Sequence, residues 1–182
     1  NKENKIFLDV KGKKKEYDHL VIAVHSDQVK KIINLKKEEK KFFEDIRYTK
    51  NKVYVHSDEK LMPESIKAWS SWNYIENKTN KKGVNVTYWM NKLQKLNTSL
   101  NIFVSLNPSI QPSKEKIFKK IYYDHPLFDL NTFENQKKIT TIQGNKNIWF
   151  CGAYLGYGFH EDGITSALHV VKRIFERNNE KN

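Results

Sequence analysis

The sequence predicts an α/β fold interrupted by a mainly antiparallel insertion. Three observations carry that expectation. The chain closes on a short apolar strand, a glycine-and-aromatic loop and an amphipathic helix. Near its start lies an unbroken, mostly β-branched run, Leu20-Val21-Ile22-Ala23-Val24, of the kind that parallel strands use. Between these ends, short alternating runs are separated by turn-rich spacers, the mark of an antiparallel sheet. Residues 1–35 and 126–182 are therefore expected to form one body, with residues 36–125 inserted into it.

Taken in order, Ile6 to Val10, a Lys/Gly turn and Glu16 to His19 predict a β-hairpin feeding the Leu20–Val24 strand, which should be buried on both faces. His25-Ser26-Asp27 follows, with Ser26 or Asp27 as N-cap of a helix over Gln28 to Ile33. A polar helix is expected over Lys36 to Asp45. Strands then follow at Arg47 to Thr49, Val53 to His56 (after a Lys50-Asn51 turn), Ala68 to Ile75, Val84 to Met90, Ile102 to Leu106 and Ile117 to Tyr123. Phe133 to Ile142 reads as a helix ended near Gly144. The last strand, around Trp149, opens into a loop holding four of the seven glycines, and the closing helix opens on Asp162-Gly163.

Composition narrows the function classes. A hydrophobic share of 38% and an aromatic share of 13% in 182 residues describe a globular chain able to bury a core. No stretch approaches the roughly 18 apolar residues of a membrane span. One cysteine gives neither an internal disulfide nor metal-site spacing, and no signal-peptide pattern is present, so a cytoplasmic setting is expected. The net charge of +12 comes from 30 Lys against 3 Arg spread along the chain. That is a solvated lysine surface, not the clustered Arg forks of a nucleic-acid reader, so no specific nucleic-acid partner is expected. Asn-x-Ser/Thr triplets at Asn77, Asn85 and Asn97 read as chance in so asparagine-rich a chain.

The string from Trp149 to Gly163, with Gly156-Tyr157-Gly158-Phe159-His160-Glu161-Asp162-Gly163 at its end, resembles the C-terminal flavin-contacting motif of FAD-dependent amine-oxidase-like proteins. It is similar to one bacterial branch of that superfamily, known as NAD/FAD-binding or amine oxidoreductase proteins. The resemblance runs from about Tyr17 to Ile174. It includes Tyr17 to Gln28, Ala68 to Tyr74, Val86 to Gln94, Leu106-Asn107-Pro108 and His125 to Asp129.

The resemblance implies an incomplete Rossmann-like FAD/NAD(P)-binding domain (1–35 and 126–182) beside a substrate-domain sheet (36–125). The superfamily's Gly-x-Gly-x-x-Gly unit is not in this sequence. The chain is therefore expected to be the C-terminal part of a longer flavoprotein, partnered by an N-terminal part of the same polypeptide and inactive by itself. Flavin performs the hydride chemistry while the protein holds and tunes it. Gly163, Ile164 and Thr165 would offer helix N–H groups to the flavin's pyrimidine edge. Gly152, Ala153 and Tyr154 would meet the ribityl-phosphate side, with His25 near by. Many relatives carry glutamate where Ala153 stands, so Glu161, Asp162 or water would replace it; Asp162 could equally be a plain N-cap.

Trp72, Asn73, Tyr88, Tyr157 and His160 form the expected substrate pocket, with Tyr74, Trp89 and Asn91 on the same strands. His160 reads either as an acid/base or as a hydrogen-bonded structural residue, and the catalytic residue stays unassigned. Cys151 reads as a small buried neighbour of the site rather than a flavin tether. A metal reading of His160, Glu161 and His169 fails on spacing. Relatives associated with cyclopropane-fatty-acid-synthase-like methyltransferases imply a small-molecule or fatty-acyl, lipid-like substrate. The lysine surface would suit peripheral membrane contact. The competing class is a non-catalytic module that keeps the fold and lacks the cofactor.

Overall fold

A computed structural model describes residues 5–75 and 85–179. The chain divides into two units, one comprising residues up to Tyr48 together with Pro126 onward, the other Thr49–His125.

The first unit opens with a hairpin of β1 (Ile6–Val10) and β2 (Lys13–Tyr17). Lys11 and Gly12 both have positive φ, 54° and 77°, which matches the right-handed twist of a tight hairpin. The Gly12 N–H donates to Asp9 Oδ1. Next, β3 (Leu20–Ile22) pairs in parallel with β9 (Ile148–Phe150).

Side-chain alternation gives this pair two faces. On one, Ile22 and Phe150 meet α1 (Val29–Ile32), α2 (Lys37–Glu44) and α4 (Leu130–Ile142) through Val29, Phe43, Ile139 and Ile142. On the other, Trp149 and Cys151 meet Val170, Ala167 and Ile174 of α5 (His160–Asn179). The outer edge of β9 is sealed by a side chain. The Gln143 amide accepts from the Phe150 N–H at 2.8 Å and donates to the Phe150 carbonyl at 2.6 Å.

The second unit is a five-stranded sheet in the order β5-β6-β7-β4-β8. Its strands are β4 (Tyr48–His56), β5 (Trp72–Tyr74), β6 (Val86–Trp89), β7 (Phe103–Leu106) and β8 (Ile117–Pro126). The β5-β6, β6-β7 and β7-β4 pairs are antiparallel. Its apolar centre joins Met62, Trp69, Phe103 and Trp89. Beside it runs a buried polar row across three strands: His56 Nε2 to Ser105 Oγ at 2.8 Å, and Ser105 Oγ to Thr87 Oγ1 at 2.6 Å. The Asp58 N–H donates to His56 Nδ1, so Nε2 carries the ring proton.

Several expectations need correction. Residues 36–48 belong with the first unit, because Phe43 and Ile46 are buried in its core. Val21 is 44% exposed, so the β3 strand is not covered on both faces. Neither Ser26 nor Asp27 caps a helix; Ser26 is buried and its N–H donates to the Tyr48 hydroxyl at 3.0 Å.

The Lys50-Asn51 turn is absent, and one strand runs through it. Asn51 donates instead to the Thr49 carbonyl, meets His125 Nδ1 and accepts from Asn107, which rivets it into the sheet. Strand Ala68–Ile75 shrinks to β5 after a 3₁₀ turn at Ile66–Ala68, and Val86–Trp89 gives way at Met90 to the helical turn α3 (Met90–Leu93). The spacer 76–83 and Val84 lie outside the described residues. Helix α4 starts at Leu130, three residues early, because Asp129 caps it by accepting from the Thr132 N–H at 2.9 Å.

Candidate functional site

The parallel pairing sets the carboxyl ends of β3 and β9 side by side, and the Cys151 N–H donates to the Ile22 carbonyl there. Open α/β sheets bind ligands at such strand ends. Gly152 is the second residue past β9, with φ 154°. A Cβ at that position would meet the Tyr154 ring at 2.7 Å, so glycine is required both by conformation and by space.

The loop that follows is held from three directions. Gln136 of α4 donates to the carbonyls of Tyr154 and Gly156 at 3.0 and 2.7 Å. Asp162 accepts the N–H groups of Tyr157 and Phe159 at 3.0 and 2.9 Å. Ser166 Oγ accepts from the Gly152 N–H at 2.9 Å and donates to the Gly163 carbonyl, tying the strand end to the helix.

Helix α5 begins at His160, earlier than the Asp162-Gly163 start expected. The Gly163 N–H goes to the Phe159 carbonyl at 3.2 Å, and those of Ile164 and Thr165 lie inside the helix. The three N–H groups it offers are thus those of His160, Glu161 and Asp162, which have no acceptor among the described residues. With the aligned peptide dipoles they make a partly positive end. A Cβ on Gly163 would meet the Ala153 nitrogen at 3.8 Å, an ordinary contact, so this part of the helix lies against the strand-end loop without crowding it.

The other expected residues divide. His25 is exposed and stacks on Tyr48 at 4.9 Å, close to the carboxyl end of β3. Tyr154 is buried, and its burial pushes the phenol up; its hydroxyl has no partner among the described residues. Cys151 is buried and its thiol is likewise pushed up by burial, which disfavours the reactive thiolate. Tyr157 and His160 are exposed in the first unit.

Trp72, Asn73 and Tyr88 lie in the second unit. The exposed Trp72 ring meets Tyr88 edge-on at 5.1 Å. Asn73 is buried, and its amide bonds Ser70 N, Ser70 O and the Thr87 carbonyl. It shapes a turn, and both of its amide hydrogens are spent within the unit. Asn91 is spent similarly, on Leu100 and Ile102. Sequence reasoning missed Gln136 and Ser166, which position the loop.

No protein-family model and no curated protein sequence matches the chain. Solved structures do. The chain is similar to a CLA-producing fatty acid isomerase from P. acnes, with a TM-score of 0.64 at 15% identity, covering 96% of this chain and 45% of that one. It is also similar to a protein described as a protoporphyrinogen oxidase from Exiguobacterium, with a TM-score of 0.58 at 10% identity, covering 96% of this chain and 44% of the other. The fold is shared with these proteins, and the chain spans less than half the length of either. Among the described residues no helix is long and apolar enough to cross a membrane.

Proposed function

We propose that this chain is the flavin-contacting portion of an FAD-dependent oxidoreductase of the amine-oxidase-like class, taking hydride from a small-molecule or fatty-acyl substrate. One observation carries the reading: a strand ending in a conformation reserved for glycine, Gly152, is bound through Ser166 to the start of a 20-residue helix that offers three unpaired N–H groups. The residues fit an electron-rich heterocycle. FAD supplies hydride-accepting chemistry when bound. The N–H groups of His160, Glu161 and Asp162 would face negative charge developing at the ring, as preorganised dipoles do in an oxyanion hole.

Gly152 and Ala153 would let backbone approach the ribityl chain. Asp162 spends one carboxylate oxygen on the Tyr157 and Phe159 N–H groups, whereas Glu161 is exposed at the helix start, so Glu161 is the better replacement for the family's ribityl-binding glutamate. No residue is assigned as acid or base. The substrate class rests on the family resemblance, and the nucleotide half of the cofactor is assigned to polypeptide beyond these residues. A cytoplasmic enzyme with lysine-mediated peripheral membrane contact completes the reading. A non-catalytic module that keeps the fold is the second reading.

The test is to express the chain in continuity with the coding sequence preceding it, desalt, and record the visible spectrum. Flavin bands are expected, and Gly163→Val should remove them at an unchanged melting temperature, since a Cβ at that position meets only an ordinary contact, Ala153 N at 3.8 Å. A folded but colourless parent protein would support the non-catalytic module instead. Bands retained in the variant would remove the helix start from the flavin site.

A further inference from the structure

Helix α5 carries two apolar faces. Ala167, Val170 and Ile174 pack on Trp149 and Cys151. Away from that contact, Ile164, Leu168, Val171 and Phe175 stand 57%, 62%, 47% and 64% exposed. Their spacings of four, three and four residues repeat the a/d seam of a heptad, which takes side chains from a second helix as knobs into holes. Single exposed apolar residues are ordinary; a row of four on one seam is not. Val21, also exposed, lies on the α5 side of the parallel pair, since it registers with Trp149. β3 has one strand partner among the described residues, although parallel strands are normally paired and covered on both faces.

We infer that the seam Ile164–Leu168–Val171–Phe175 is a docking face for a helix of the same polypeptide, from outside these 182 residues, lying beside α5 and over Val21. The occupant follows from length. Both solved structures take up 96% of this chain while leaving more than half of their own residues unmatched. A second copy is disfavoured by area: four side chains fall well short of the about 800 Å² per partner that stable interfaces bury. The inference shares with the proposed function the existence of further polypeptide, but needs no flavin.

The test compares Leu168→Asp in the 182-residue chain and in the protein with its preceding coding sequence restored. The melting temperature should hold within about 2 °C in the short chain and fall by more than about 4 °C in the longer one. Amides of residues 164–175 should exchange more slowly in the longer protein. If the short chain does not fold alone, Leu168→Asp is compared in the longer protein with Lys172→Gln, which lies off the seam and should have no effect.

Equal melting temperatures for the longer protein and its Leu168→Asp variant overturn the inference. So does a stop codon directly upstream, a dimer of the short chain dispersed by the variant, or sedimentation of the short chain with anionic vesicles that the variant abolishes. A colourless longer protein with protected α5 amides would sink the flavin reading and leave this one standing.

Discussion

In the second unit the buried polar side chains answer one another: His56, Ser105 and Thr87 join across three strands, and Asn73 closes a turn. In the first unit the unanswered groups collect in particular places. Three helix N–H groups stand at the start of α5, and its apolar seam lies in solvent. A unit whose buried polar side chains find partners among the described residues is built to hold shape. One that leaves helix donors open is built to receive something.

That contrast can be broken in three places. The largest effect is expected from Trp149→Ala, which empties the layer under α5, removes a hydrogen bond to His19 and takes away the ring beneath Arg173. A loss of about 3–5 kcal/mol is expected in denaturant unfolding of the first unit. A loss under about 1 kcal/mol would mean that α5 is held by other contacts.

Second comes acid. Burial lowers His56 from 6.5 to about 4, against the nearby Asp58 charge, which raises it. A histidine with a depressed folded pKa binds its proton more readily when unfolded. Its stabilisation is therefore full above pH 6.5 and is lost as pH falls from 6.5 towards 4, on the order of 3 kcal/mol. Asp58, held low by donors from Ser113 and Lys60, keeps its charge through that window. Thermal melts across it should show the slope in the parent protein and a flatter profile in His56→Gln; identical slopes would discharge His56 from the effect.

The smallest effect belongs to Asp129→Ala. It deletes the cap of α4 and a pairing with Arg47 at 2.6 Å, an exposed contact that holds the carboxyl below its usual range. About 1 kcal/mol is expected from the cap, read by denaturant midpoint.

Much of the fold could be read in advance, since hydrophobic period and glycine placement survive without tertiary context. The hairpin, the Leu20 strand, the Trp149 strand and the final helix are cases of this. What could not be read involved side chains that answer partners far along the chain. Asn51 looks like a turn residue locally, yet His125 and Asn107 bind it into a strand. Asn73 looks like a pocket amide, yet Ser70 and Thr87 consume it. At the candidate site the glycine loop was visible and the helix start was not, because Asp162 reaches back to Phe159 and sets it at His160. Gln136 and Ser166 carry no local signature at all.

The Gln143 amide that occupies both the N–H and the carbonyl of Phe150 has an outcome for how this body can grow. It gives the parallel pair a finished margin and an unfinished one. Lateral recruitment of another strand is blocked beside β9 and open beside β3, so the molecule has a direction of assembly written into one glutamine.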